Sequence, residues 1–174
     1  MGGPIRVVLA GYDAIDKKVF FRQQQFDESG RGPETFYIQL GDFAPSEPIL
    51  TESLDKRKIE VNTFGAERRW LLAQHRLRPL AAQRDAQMSV RVNADSVGID
   101  PEWNSPRFSL RVELEANDME LSLTLTSYCR TDVSLRGLYS IPGRHEVIAI
   151  LAYAGLAYGC EDRDQVVVFS LNGN

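Results

Sequence analysis

Between residues 108 and 125 the apolar side chains change parity. Phe108, Leu110, Val112 and Leu114 stand at even positions and Met119, Leu121, Leu123 and Leu125 at odd ones, with polar residues between them in each run. Alternation at period two marks a half-buried strand, and two such runs around a short polar segment mark an antiparallel hairpin. Opposed residues of a hairpin share a face, so their numbers here must sum to an odd value and the loop must hold an even number of residues. Setting 114 opposite 119, 112 opposite 121 and 110 opposite 123 predicts a loop of Ala116 and Asn117, or of Glu115 to Asp118. Asn117 tolerates the left-handed backbone of such turns. In that register Glu113 faces Glu120 and Glu115 faces Asp118, an acidic tip whose like charges repel unless calcium, a basic surface or solvent screening offsets them. Tyr128 and Arg130 continue the polar face and Cys129 falls on the apolar one.

Further strands are expected over 5–10, 18–26 and 35–40, as a meander with a loop at 27–33. From Gly41 to Lys56 two prolines among polar residues read as a long exposed connection, followed by a short strand over 59–61. Thr63 is placed to cap a helix from about Ala66, because Trp70, Leu71, Ala73, Leu77, Leu80 and Ala81 recur at helical spacing. Pro79 kinks that helix near Arg78, and its second piece ends around Gln87. Met88 to Val92 alternates as a strand, Asp95 to Pro106 reads as loop, and Val133 to Ser140 as another strand. His145 to Tyr158, rich in Ala, Ile and Leu without alternation, reads as a buried helix capped at Gly159. The Val-rich run from Gln165 to Leu171 reads as a central strand, buried on both faces. The expected fold is one α+β domain over 1–174. It is mainly an antiparallel β-sheet with one long kinked central helix, a second helix before the C-terminal strand and room for a local parallel pairing.

A chain of 174 residues buries roughly 70% of its unfolded surface, enough for one core. Twenty basic against 24 acidic residues give a net charge of −4, which argues against a general nucleic-acid or membrane-surface coat. No apolar run is long enough for a spanning helix, and the stretch from Met1 to Gly11 does not read as a signal peptide. Two cysteines without CxxC spacing suggest free thiols in a reducing, cytoplasmic setting.

Reactive groups are sparse. Cys129 with His145 is the one nucleophile and base arrangement to draw, set against a core cysteine and a surface histidine. Cys160 sits beside Glu161 and Asp162, which disfavour its thiolate. His75 and His145 belong to no HxxxH pair, and no GxxxxGK[ST] or GxGxxG loop occurs, so no catalytic residue, metal or cofactor is assigned. Charge is instead segregated. From Lys56 to Arg84 the basic residues Lys56, Arg57, Lys58, Arg68, Arg69, Arg76, Arg78 and Arg84 face only Glu60 and Glu67. From Val92 to Arg130 seven acids, Asp95, Asp100, Glu102, Glu113, Glu115, Asp118 and Glu120, face Arg107, Arg111 and Arg130.

The sequence therefore suggests a non-catalytic protein-binding or assembly module. A basic helix face carries Arg68, Arg69, Arg76 and Arg78, and an acidic hairpin carries Glu113, Glu115, Asp118 and Glu120. The expected partner is another protein or a second copy, without nucleic acid or membrane. The alternative is a small-molecule sensor or enzyme with a pocket under the 41–56 connection, walled by Trp103, Tyr128 and the aromatics Phe20, Phe21, Phe36 and Tyr37.

Overall fold

The computed structural model describes residues 3–26, 34–41, 47–50, 76–83, 88–116 and 119–170. In chain order its strands are β1 Ile5–Asp13, β2 Lys18–Gln25, β3 Glu34–Gln39, β4 Ile49–Leu50, β5 Ala81–Ala82, β6 Ser89–Ile99, β7 Pro106–Ala116, β8 Met119–Tyr128, β9 Val133–Ser140, β10 Glu146–Tyr153 and β11 Arg163–Ser170. One sheet runs β4-β3-β2-β1-β11-β10-β9-β5 and a second runs β6-β7-β8. Among the described residues the only helical element is a 3-10 turn at Tyr158–Cys160. The expected α+β class is therefore corrected to an all-β architecture.

The alternating hairpin forms as β7 and β8, and its parity holds. Its register lies two residues from the expected one, with Leu114 opposite Leu121, Val112 opposite Leu123 and Ala116 opposite Met119. Residues 117 and 118 alone lie between the strands. Parity forbids odd loops but leaves registers two residues apart equivalent, so chemistry at the tip decides between them. Leu110, Val112, Leu114 and Leu125 are buried on one side of this sheet. They join Leu138, Val147, Ala149, Leu151 and Phe169 in one core, so the three-stranded sheet packs over β9, β10 and β11.

The opposite face of β9–β11 is covered as well. Ile148, Val166, Tyr139 and Val168 cluster with Val19, Phe21 and Ile38 from β2 and β3. The large sheet closes on itself to do this. β1 pairs parallel with β11 only at Ile5↔Arg163. At its other end Tyr12 exchanges backbone hydrogen bonds of 2.9 and 2.8 Å with Arg78, just before β5, which pairs with β9. Backbone hydrogen bonds thus join β1 to β11 at one end and, through the 78–82 segment, to β9 at the other, and the second core lies where β2 and β3 pack on β9–β11. The local parallel pairing allowed for in the last forty residues does not form, since β9, β10 and β11 pair antiparallel there; the parallel contact is the long-range one between β1 and β11.

Both expected helices meet physical objections here. β10 is buried from Val147 to Tyr153 because odd residues enter one core and Ile148 the other. A continuous apolar run is what a strand between two layers requires, and periodicity cannot separate it from a buried helix. In the central segment Arg76 has φ 48°, Leu77 packs on Phe20, and residues 78–82 are extended against β1 and β9. Pro79 therefore sits in extended chain rather than at a kink. The first part of that expected helix, the strand over 59–61 and the 27–33 loop lie outside the described residues. The expected 95–106 loop is shorter, since β6 continues to Ile99 through a bulge between Ser96 and Gly98, where Gly98 takes φ 109°.

Candidate binding surface

Among the described residues β6 is an edge strand with β7 as its one neighbour. Its first half alternates, with Val90 and Val92 partly buried against the core. From Asn93 to Ile99 every residue of β6 is exposed, while Phe108 and Leu110 opposite it on β7 stay in the core. Its tip is built rather than loose. The Asp100 carboxylate accepts the backbone N–H groups of Glu102 and Trp103 at 3.1 and 3.0 Å, and the Asp100 N–H donates to the Ser105 carbonyl at 2.8 Å. The Trp103 ring meets Tyr158 edge-on at 4.8 Å, and the Ser105 hydroxyl donates to the Ala157 carbonyl at 2.8 Å. Val97, Ile99 and Trp103 remain 45%, 62% and 45% exposed on this braced tip.

Only part of the expected acidic site forms as drawn. Glu115 faces Glu120 and Glu113 faces Ser122, with Glu115 and Glu120 exposed and Glu113 half-buried. Arg91 of β6 offsets the like-charge pair, its guanidinium lying 3.2 Å from the Glu115 carboxylate. No described contact brings Arg76 or Arg78, both exposed, to these acids, because their segment runs beside the end of β1. Arg68, Arg69 and Asp118 lie outside the described residues. The basic helix face does not form over 76–78, where Arg76 takes a left-handed φ of 48° and Arg78 bridges Tyr12 of β1.

The two cysteines are joined in a disulfide with Cα atoms 5.8 Å apart. This overturns the free-thiol reading and removes the drawn dyad, since His145 sits exposed at the far end of β10 from the bridge. Spacing in the sequence carried no sign of it, because 31 residues and two intervening strands separate the partners. The bridge fastens the end of β8 to the turn before β11. Nearby, Arg130 pairs with Asp162 and with Asp132.

Other charged groups are structural. Asp164, 4% exposed, accepts the Val7 N–H at 3.0 Å and pairs with Arg6 at 3.3 Å and Arg136 at 2.9 Å, tying β1, β9 and β11 together. Arg144 forks onto Glu146. That hydrogen-bonded partnership holds the Glu146 carboxyl below its ordinary range and, with the Tyr12 hydroxyl, raises the Arg144 guanidinium further. Burial pushes the Tyr153 phenol up.

Two open grooves touch the 41–56 connection through Glu47 and Pro48. One of about 440 Å³ runs between β8 and β11 past Ile38, Leu123 and Val166, and one of about 310 Å³ reaches Phe21 and Phe36. Trp103, Tyr128, Phe20 and Tyr37, expected as walls, line neither of them. Among the described residues no helix is long and apolar enough to cross a membrane. No protein-family model matches the chain, and no curated protein or solved structure does.

Proposed function

We propose that this protein is a non-catalytic protein-binding or assembly module and that the exposed end of the β6–β7 hairpin is its contact surface. The observation that carries this reading is the braced tip, where Val97, Ile99 and Trp103 stay exposed on a turn fixed by Asp100 and Tyr158. Ordering is the main cost of binding through a loop, and a pre-ordered aromatic anchor lowers it. The partner is another protein or a second copy, met through a mixed rim of Arg91, Glu115 and Glu120. Of the expected acidic surface this reading keeps Glu115 and Glu120, and it drops the helical half.

Chemical cross-linking of the purified chain, alone and in lysate of its source, tests this against a variant carrying Ile99→Ser and Trp103→Ala. Adducts mapped to the hairpin and lost in the variant are expected. Adducts insensitive to the variant would overturn the reading. The cystine supports an oxidising environment over the reducing cytoplasm inferred from the free-thiol reading. Protein isolated under thiol-blocking conditions should carry no labelled cysteine, whereas two labels per chain would restore the cytoplasmic assignment.

A further inference from the structure

Among the described residues the two sheets leave four edges, of which β4 and β5 are two residues long. β8 is tied at one end, where the Tyr128 N–H donates to the Ala154 carbonyl, and beside it lie Glu47 and Pro48 across a groove. Its outward side chains Glu120, Ser122, Thr124 and Thr126 include no cation. β6, at 11 residues, has no strand on its outer edge among the described residues. An exposed edge of that length is a template for another strand.

We propose that β6 pairs antiparallel with β6 of a second copy, centred on Asn93, so that the two sheets join into one. This rests on the hairpin being the contact surface, and it names the occupant and the register. The argument is charge complementarity under a parity constraint. A two-fold strand pair is centred on a residue and never between two, because facing side chains must share a side of the sheet. Centring on Arg91 or Asp95 sets like charges face to face. Centring on Val92 or Ala94 leaves two Arg91 or two Asp95 side chains diagonal to each other. Centring on Asn93 sets Arg91 against Asp95, and symmetry does so twice.

The side chains are available for this. Asp95 is exposed and makes no ion pair among the described residues, and Arg91 is 69% exposed in a surface pair with Glu115 that is easily re-aimed. On the other side of the sheet the same register sets Val92 against Ala94 and Val90 against Ser96. The partly buried Val90 and Val92 thereby gain cover. It also carries Ile99 and Trp103 past the second copy's Ser89, placing the apolar tip at the ends of the interface.

Sedimentation equilibrium on the full, disulfide-bonded chain tests the proposal with Arg91→Asp and Asp95→Arg variants. Wild type is expected to dimerise, and to do so more weakly at about 500 mM than at about 50 mM salt, because added salt shortens the reach of exposed charges. Each single variant opposes like charges twice and should dimerise roughly tenfold or more weakly. In an equimolar mixture of the two variants, positions 91 and 95 again carry opposite charges at both crossings, with the signs reversed at one of them. The mixture should therefore recover a heterodimer, which also shows that both variants fold. A monomeric wild type, or a mixture no tighter than its components, would overturn the pairing. Either result leaves the hairpin reading to stand or fall on the cross-links removed by Ile99→Ser and Trp103→Ala.

Discussion

β10 and β6 are both antiparallel strands, and they stand at opposite extremes of exposure. β10 has a neighbour on each edge and a layer on each face, and from Val147 to Tyr153 every residue is buried. Among the described residues β6 has one neighbour, and beyond Val92 its residues are all exposed. The two strands therefore do different work. Removing atoms from β10 takes contacts from two cores at once, whereas β6 beyond Val92 holds little of the fold and offers its side chains outward.

Substitution effects should invert between them. Leu151→Ala, at 0% exposure, should cost about 3–5 kcal/mol in urea unfolding without changing the tip. A destabilisation below about 1 kcal/mol would mean that β10 is not held between layers. The disulfide comes next. Replacing Cys129 and Cys160 together by serine frees a loop spanning 31 residues and should cost ~3 kcal/mol, read as a lowered Tm that reducing agent no longer shifts.

At the foot of β10 the effect is smaller and depends on pH. The Glu146 carboxyl lies below its unfolded value because Arg144 holds it, so the folded state binds fewer protons there. Its contribution is complete above the unfolded carboxylate value of about 4.3 and drains away as pH falls through the lower folded value. Glu146→Gln should remove about 1–2 kcal/mol at pH 7 and flatten the acid limb of the stability curve. Tyr153 acts in the other direction. Its raised phenol favours the folded state while protonated, so stability should decline as pH climbs past the unfolded value near about 10. The smallest effect on stability belongs to β6. Ile99→Ser, at a site 62% exposed, should stay within about 0.5 kcal/mol of wild type in unfolding while weakening association.

The same contrast explains what the sequence made legible. β7 and β8 were readable because each has one wet and one dry face, which writes a period of two into the residues. β11 was readable as a central strand from its valines, since β-branched residues favour sheet over helix. β10 was not, because with both faces buried its alternation is erased and Ala149, Ala152 and Ala154 imitate helix composition. Leu77 and Leu80 kept helical spacing although they enter two separate clusters from an extended chain. The acidic tip was legible as a charge pattern, but Arg91 as its counterion required the β6–β7 register. The braced apolar tip had no signal beyond Trp103 itself.

Hydrogen exchange on the full chain at two protein concentrations, tenfold or more apart, compares the two strands in one experiment. β10 amides should be protected equally at both concentrations, near the limit set by global unfolding. Alternate amides of β6, those on its outer edge, should exchange freely when dilute and gain protection when concentrated. Outer-edge amides of β6 that are already protected in dilute solution, or that stay unprotected at every concentration, would contradict the assignment of β6 as the strand through which the protein joins its partner.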